Sequence, residues 1–245
     1  CPTQAINLHE TAHLSTIEVG AIILALGFEV YDPSKQEELG FQRYSNVLKA
    51  MQYERLASRS GPTEGIVIRP SNGQPPRSIA WLQCIGSRDQ QQQFCSSICC
   101  MYATKEAILA KQRLGEAVAC SVFIMDERAF NKEYSAYFTK AREQHGINYL
   151  RCRVSEIRED PETHDLILHY ADPNGQLHQE RFEMVVLATG LQPPQSAGQL
   201  SELLEIELNQ YGFCQTDKFT PLQTTRPGVF VCGAFSSPKE IVETI

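Results

Sequence analysis

Two stretches of this chain are apolar almost without interruption, residues 19–26 and residues 184–188. Each closes on Ala, one further residue and Gly: Ala25-Leu26-Gly27 and Ala188-Thr189-Gly190. Continuous apolar runs bounded by turn formers predict strands buried on both faces, as parallel sheets require. The recurrence predicts two related α/β units. Between the runs, strand-like and helical patterns alternate. Residues 78–83 predict a strand. Residues 102–114 predict a helix, with Ala103, Ala107, Leu109, Ala110 and Leu114 apolar and Gly115 as its stop. Residues 118–125 predict the next strand, residues 133–144 a helix closed by Gly146, and residues 147–157 a further strand. Residues 165–171 and 179–188 predict the arms of a hairpin, with Asn174-Gly175 as the turn signal.

Residues 30–77 are rich in turn formers and predict a connection with short helices, one over residues 47–57. Residues 227–234 predict a strand ending in Gly233. A helix start follows, with Ser237 as N-cap, Pro238 at the first position and Glu240 completing a capping box. The order strand, helix, strand, helix, strand, hairpin predicts an α/β fold. It is a doubly wound, three-layer nucleotide-binding-like unit with an appended β-hairpin.

Composition narrows the function classes. The 245 residues are 42% hydrophobic and 21% charged, as in globular proteins, with room for one large domain or two modest ones. A net charge of −7 without any run of Lys or Arg argues against a nucleic-acid surface. No apolar stretch reaches the roughly 18–20 residues of a membrane span. The chain opens on Cys1-Pro2 and closes on Ile245 inside an expected helix, so it reads as an internal piece of a longer protein.

The nine cysteines carry the chemistry. Their number is odd, and four crowd into residues 84–100. That predicts metal binding in a reducing, cytoplasmic compartment rather than a disulfide frame. Cys84, Cys95, Cys99 and Cys100 are spaced C-x10-C-x3-C-C. Four thiolates are what an iron–sulfur cluster needs. They lie at the strand-to-helix crossover, where a dinucleotide fold carries its glycine fingerprint, yet Cys84-Ile85-Gly86-Ser87-Arg88-Asp89 lacks G-x-G-x-x-G. A helix N-terminus favours the negative charge of a thiolate-ligated cluster. Zinc and four unligated thiols are the competing readings; paired C-x2-C, the usual zinc spacing, is not present.

Other motifs are weaker. His9-Glu10-Thr11-Ala12-His13 matches the zinc-protease string, which needs a helix. The apolar and polar alternation around it predicts a solvated strand pair instead. Cys1-Pro2 has the form of a ferredoxin motif's closing ligand, which leaves Cys1 a stranded ligand of a truncated cluster. Asp126 ends a strand where a Rossmann acid would hold a ribose, but without the fingerprint it reads as a solvated carboxylate. Cys120, Cys152, Cys214 and Cys232 read as small apolar residues, with Cys232 beside Gly233.

The block Trp81-Leu82-Gln83-Cys84-Ile85-Gly86-Ser87-Arg88-Asp89, followed by Phe94-Cys95-Ser96-Ser97-Ile98-Cys99-Cys100-Met101-Tyr102-Ala103, resembles the signature of the A-type subunits of heterodisulfide reductase. Residues 19–33 and 228–241 are similar to further segments of that family, and the related quinone-interacting membrane-bound oxidoreductase flavoprotein subunits share much of the pattern. The resemblance implies a thioredoxin-reductase-like core with FAD, an embedded [4Fe–4S] cluster and inserted ferredoxin modules. It implies electron transfer between FAD and clusters, in some complexes by flavin-based bifurcation. Partners would be other subunits of a redox complex, with a ferredoxin or hydrogenase-type electron partner. It divides the chain at residues 1–63, the end of a ferredoxin insert and part of an FAD-binding domain; 64–195, an NAD(P)-binding-like domain with the cysteine block; and 196–245, a return to the FAD-binding domain. Cys84, Cys95, Cys99 and Cys100 match the cluster block. Gly27, Gly233, Ala234, Lys239, Glu240 and Ile241 match segments near the flavin, where a helix from Pro238 would aim N–H groups at the reduced ring. The family's G-x-G-x-x-G segment for the FAD pyrophosphate is not in these 245 residues. A pyridine-nucleotide disulfide oxidoreductase and a zinc-binding interaction module are the alternative functions.

Overall fold

The computed structural model describes residues 5–6, 9–128 and 130–244. In chain order its strands are β1 (Ile22–Leu24), β2 (Glu29–Val30), β3 (Val47–Lys49), β4 (Ser78–Ile85), β5 (Ala119–Ile124), β6 (Asn148–Arg151), β7 (Val154–Glu159), β8 (Leu166–Ala171), β9 (Leu177–Phe182), β10 (Met184–Thr189), β11 (Leu191–Gln192) and β12 (Val229–Val231). Its α-helices are α1 (Ala50–Ala57), α2 (Cys99–Leu114), α3 (Tyr134–Glu143), α4 (Ala197–Leu204) and α5 (Ile241–Thr244).

Five parallel strands in the order β3-β10-β4-β5-β6 form the central sheet. Its two faces are covered differently. Alternate residues of β4 face opposite ways. Ile79 and Trp81 pack with Ala103, Ala107 and Ala110 of α2, and Ala80 and Leu82 pack with Ile157, Leu166 and Leu168. The three alanines are wholly buried and let α2 lie close to the sheet. The second face meets an antiparallel sheet, β7-β8-β9. The three layers are therefore helices, parallel sheet and antiparallel sheet. The expected hairpin has become the whole third layer.

A smaller unit gathers β1, β12 and α4 around Leu24, Val229, Val231 and Phe235. The two Ala-x-Gly runs both lead into the ribbon that joins the units. β2 follows the first, β11 follows the second, and the two pair antiparallel. Tyr31 N donates to the Gly190 carbonyl at 3.0 Å and extends this pairing.

Several expectations give way to tertiary contacts. Residues 47–49 are an edge strand, not the start of a helix. Val47 and Leu48 are buried against Val185 and Val186 of β10, and the helix begins only at Ala50. The central sheet thus takes a strand from ahead of residue 64. Residues 147–157 are two strands in two sheets, parted where Cys152 N donates to the Ile124 carbonyl. The arm at residues 179–188 splits at Glu183, whose carboxylate is held by Arg77 and Arg69. Residues 10–19 form neither strand nor helix, because nothing covers their apolar side chains; Leu14 and Ile17 are exposed. The helical setting that the zinc-protease string needs is not formed. β1 is not buried on both faces, since it pairs with β12 alone and leaves Ile23 exposed. Among the described residues no helix is long and apolar enough to cross a membrane.

Helix α2 also carries a carboxyl group into the core. Glu106 is wholly buried. Its Oε2 accepts from Trp81 Nε1 at 2.9 Å, while Oε1 has no partner. Desolvation pushes its pKa from 4.5 up to about 9, against the lowering effect of the Trp81 bond. A carboxyl raised in the folded state keeps a proton that the unfolded chain releases. Stability then falls as pH rises from 4.5 to about 9, by at most about 1.4 kcal/mol per unit. Glu106→Gln is expected to lift the melting temperature at pH 8 and to lose that advantage near pH 5. An identical gap at both pH values would assign the effect to packing instead.

Candidate functional site

The cysteines gather where β4 leaves the sheet. Between β4 and β10 the register slips: Leu82 faces Leu187, but Ile85 faces Thr189. One extra residue on β4 makes a bulge, and bulges re-aim side chains. Cys84 lies in it with φ 62°, in the left-handed region that side chains avoid. Arg88 (φ 57°) and Ser97 (φ 63°) share that conformation, and Gly86 (φ 71°) needs it as well. A Cβ on Gly86 would fall 2.1 Å from the Tyr31 ring, so only glycine fits. Such concentrated backbone strain is typical of functional loops.

Contacts on three sides hold the loop. Arg88 N donates to the Phe94 carbonyl at 3.0 Å. Ser96 Oγ accepts from Leu191 N at 3.0 Å. The Phe94 ring meets Tyr211 and Phe213 edge-on. Helix α2 then begins at Cys99, three residues ahead of the expected start, because the Ile98 carbonyl already accepts from Met101 N and Tyr102 N.

Cys84, Cys99 and Cys100 are buried and Cys95 is half-buried. All six pairs among the four interact electrostatically. Their sulfurs also meet nearby polar groups. Cys100 Sγ donates to Gln83 Oε1 at 3.0 Å, and Cys99 Sγ to the Thr189 carbonyl at 3.8 Å. Tyr102 OH donates to the same carbonyl at 2.8 Å. Cys95 Sγ accepts from Ser97 N at 3.4 Å, and the Arg88 guanidinium bonds the Cys84 sulfur. With the side chains so turned, no group of three or more His, Cys, Asp or Glu among the described residues stands in metal-binding geometry. Burial is the main cause that pushes the thiols up, Cys100 to about 12 and Cys84 and Cys99 in the same direction. They are neutral thiols at pH 7. Their donor set, four sulfurs in a dry recess, fits the chemistry of an iron–sulfur core, whose positive iron would compensate the lost protons.

The other residues picked out by the sequence lie elsewhere. Gly27 follows β1 with φ 70°, and Gly233 follows β12 with φ 67°. Both have open space where a Cβ would stand, so a planar ligand has room to approach their backbone. Ala234 is buried beside Gly233. Lys239 Nζ donates to Ser236 Oγ at 2.8 Å. Glu240 accepts from Tyr134 OH, and Ile241 is exposed. The expected helix at Pro238 starts only at Ile241, with Glu240 N capped by Glu243 Oε2. The N–H groups assigned to a helix end at Pro238 are therefore not there. Cys1 lies outside the described residues.

Asp126 is not a solvated carboxylate. Both its oxygens are engaged by Arg88, and Arg128 Nε lies 3.4 Å from Oδ1. Sequence reasoning gives Arg88 no role, because nothing local marks it as reaching across to the next strand. Cys120 and Cys214 are buried as expected, whereas Cys152 and Cys232 are half-buried.

The pyridine nucleotide-disulphide oxidoreductase family is matched over residues 103–245. An A-type iron-sulfur subunit, the second of two, of the CoB–CoM heterodisulfide reductase of Methanopyrus kandleri is 39% identical over 246 residues, which cover 98% of this chain and 37% of that protein. The A-type subunit of the H(2):CoB-CoM heterodisulfide,ferredoxin reductase of Methanothermobacter thermautotrophicus is 34% identical over 252 residues, covering 100% and 38%. The chain thus spans less than two fifths of these relatives, and the resemblance seen in the cysteine block is borne out along nearly its whole length. Lactococcus lactis thioredoxin reductase in its FR conformation superposes with a TM-score of 0.56 at 16% identity, over 91% of this chain and 60% of that one. The thioredoxin reductase of T. acidophilum gives 0.55 at 15%, over 89% and 58%. The fold is thioredoxin-reductase-like, as expected.

Proposed function

Because this chain belongs to the pyridine nucleotide-disulphide oxidoreductase family, a family of oxidoreductases, we propose that it is the electron-transfer part of a flavoprotein subunit in a heterodisulfide reductase-like complex. In this reading Cys84, Cys95, Cys99 and Cys100 hold one [4Fe–4S] cluster. The carrying observation is the meeting of these four side chains at a strained, three-sided loop. The names of the relatives, one of them an iron-sulfur subunit, support it. Bound there, the cluster supplies one-electron transfer. The protein's part is to supply four sulfurs, to exclude water through the buried Cys99 and Cys100, and to hold the loop by Phe94 and Ser96.

FAD belongs to the same proposal. Gly27, Gly233 and Ala234 would present backbone to it, and Lys239, Glu240 and Ile241 would flank it. The open space beside Gly27 and Gly233 supports that placement. The electron partners follow the relatives' names. One is named for hydrogen, heterodisulfide and ferredoxin together, which favours a ferredoxin or hydrogenase-type partner, other subunits of the complex, and bifurcation at the flavin.

The test is metal and sulfide analysis of protein prepared without oxygen. Iron and acid-labile sulfide in equal amounts, about four of each per chain, are expected. Zinc in place of iron would redirect the reading to a binding module. Rapid oxidation of NADPH with no iron present would redirect it to a disulfide reductase.

A further inference from the structure

A charged pair stands at the rim of the cysteine group. Arg88 lies on the same loop as Cys84 and Cys95, and its side chain is only 14% exposed. Its two terminal nitrogens straddle the carboxylate of Asp126, just beyond the end of β5, with Nη2 to Oδ2 at 3.1 Å. The same guanidinium bonds the Cys84 sulfur. Five N–H donors in a fixed fork let one arginine serve both partners. The placement costs the loop something, since Arg88 holds φ 57° and is pinned by its own N–H to the Phe94 carbonyl. The Asp126 side chain is 40% exposed, and Arg128 also approaches it.

We propose that Arg88 and Asp126 set the reduction potential of the centre held by Cys84, Cys95, Cys99 and Cys100, Arg88 raising it and Asp126 moderating it. This rests on the cluster assignment above. The physics is the charge of the added electron. Uptake of one electron makes a thiolate-ligated centre more negative. A cation and a hydrogen bond at a ligand sulfur stabilise that state, and a nearby carboxylate opposes it. The surroundings are dry, because Cys84, Cys99 and Cys100 are each about 6% exposed or less, so the charges are weakly screened. Burial of the thiols favours their protonated form, while Arg88 acts against it at Cys84, in keeping with its placement. Arg88 and Asp126 are positioning residues and touch no substrate.

The experiment is a potentiometric titration with dithionite of the reconstituted chain and of Arg88→Gln, Arg88→Lys and Asp126→Asn. One-electron reduction is followed by electron paramagnetic resonance, and iron and sulfide are counted on the same samples. Arg88→Gln is expected to lower the midpoint potential, Asp126→Asn to raise it, and Arg88→Lys to stay nearer the parent. Cluster content stays at the parent level throughout. Unchanged potentials, or shifts of one sign in Arg88→Gln and Asp126→Asn, overturn the proposal. So does a loss of cluster confined to Arg88→Gln and Asp126→Asn with Arg88→Lys at the parent potential, which marks a structural role. If the parent itself binds no iron, the cluster assignment falls first and this inference falls with it.

Discussion

Replacing Cys99 by Ser is expected to abolish iron and sulfide binding, from about four of each per chain to the background of the assay. The same loss is expected for Cys100→Ser and Cys84→Ser. Serine keeps the size of cysteine but puts a hard, poorly ionised oxygen where a thiolate is required, so three sulfurs remain for a four-sulfur core. Cys99 and Cys100 open α2, and Cys84 sits in the bulge of β4, so each is delivered by backbone that does not readily rearrange. Cys95 lies mid-loop and is half-buried, so Cys95→Ser separates a requirement for four sulfurs from one for the rigid three. Cys120 is the control. It is a buried free thiol on β5, in the same core cluster as Val118, Val122 and Ala141, and Cys120→Ala is expected to keep the parent's iron. Iron analysis and the visible spectrum of oxygen-free preparations check the series. Parent-level iron in Cys99→Ser or Cys100→Ser would remove those residues from the ligand set.

Arg69→Met is expected to destabilise the fold by about 3–5 kcal/mol, the usual result of removing one partner of a buried charge group. Arg69 is 7% exposed. It reaches Asp165 at 3.1 Å, Glu183 at 3.8 Å and the Thr163 carbonyl at 2.8 Å. It thereby ties the long connection before β4 to the turn before β8 and to the residue that separates β9 from β10. Asn46 works beside it, donating to the His164 carbonyl at 2.9 Å and accepting from Ser71 N at 3.1 Å. Methionine fills the volume and removes the charge, which leaves two carboxylates and a carbonyl facing an apolar side chain. Urea denaturation measures the change. Arg77→Ala is the comparison, because Arg77 bonds the same Glu183 from an exposed position and is expected to change the midpoint little. Equal losses in the two variants would show that the network does not depend on burial.

Much of the central unit is legible in sequence because its elements are long or strongly patterned. β4, α2, β5 and α3 each lie within two or three residues of the segment that periodicity and Gly stops predict. Short elements escape it. β3 has three residues and β2 and β11 two each, too few to show a period, and each exists only because a distant strand pairs with it. The same limit explains residues 147–157. Strict alternation reports that residues face two ways, not which sheet receives them.

The site divides along the same line. Four cysteines at a strand-to-helix crossover, and the absence of a glycine fingerprint there, are facts of residue type and spacing, and these the sequence determines by itself. The left-handed turn at Cys84, the Phe94 and Ser96 anchors and the Arg88–Asp126 pair are decided only in three dimensions. The reason is physical: periodicity and spacing encode the local conformation of one segment, whereas a bulge, an ion pair and the dryness of a thiol depend on atoms that arrive from dozens of residues away.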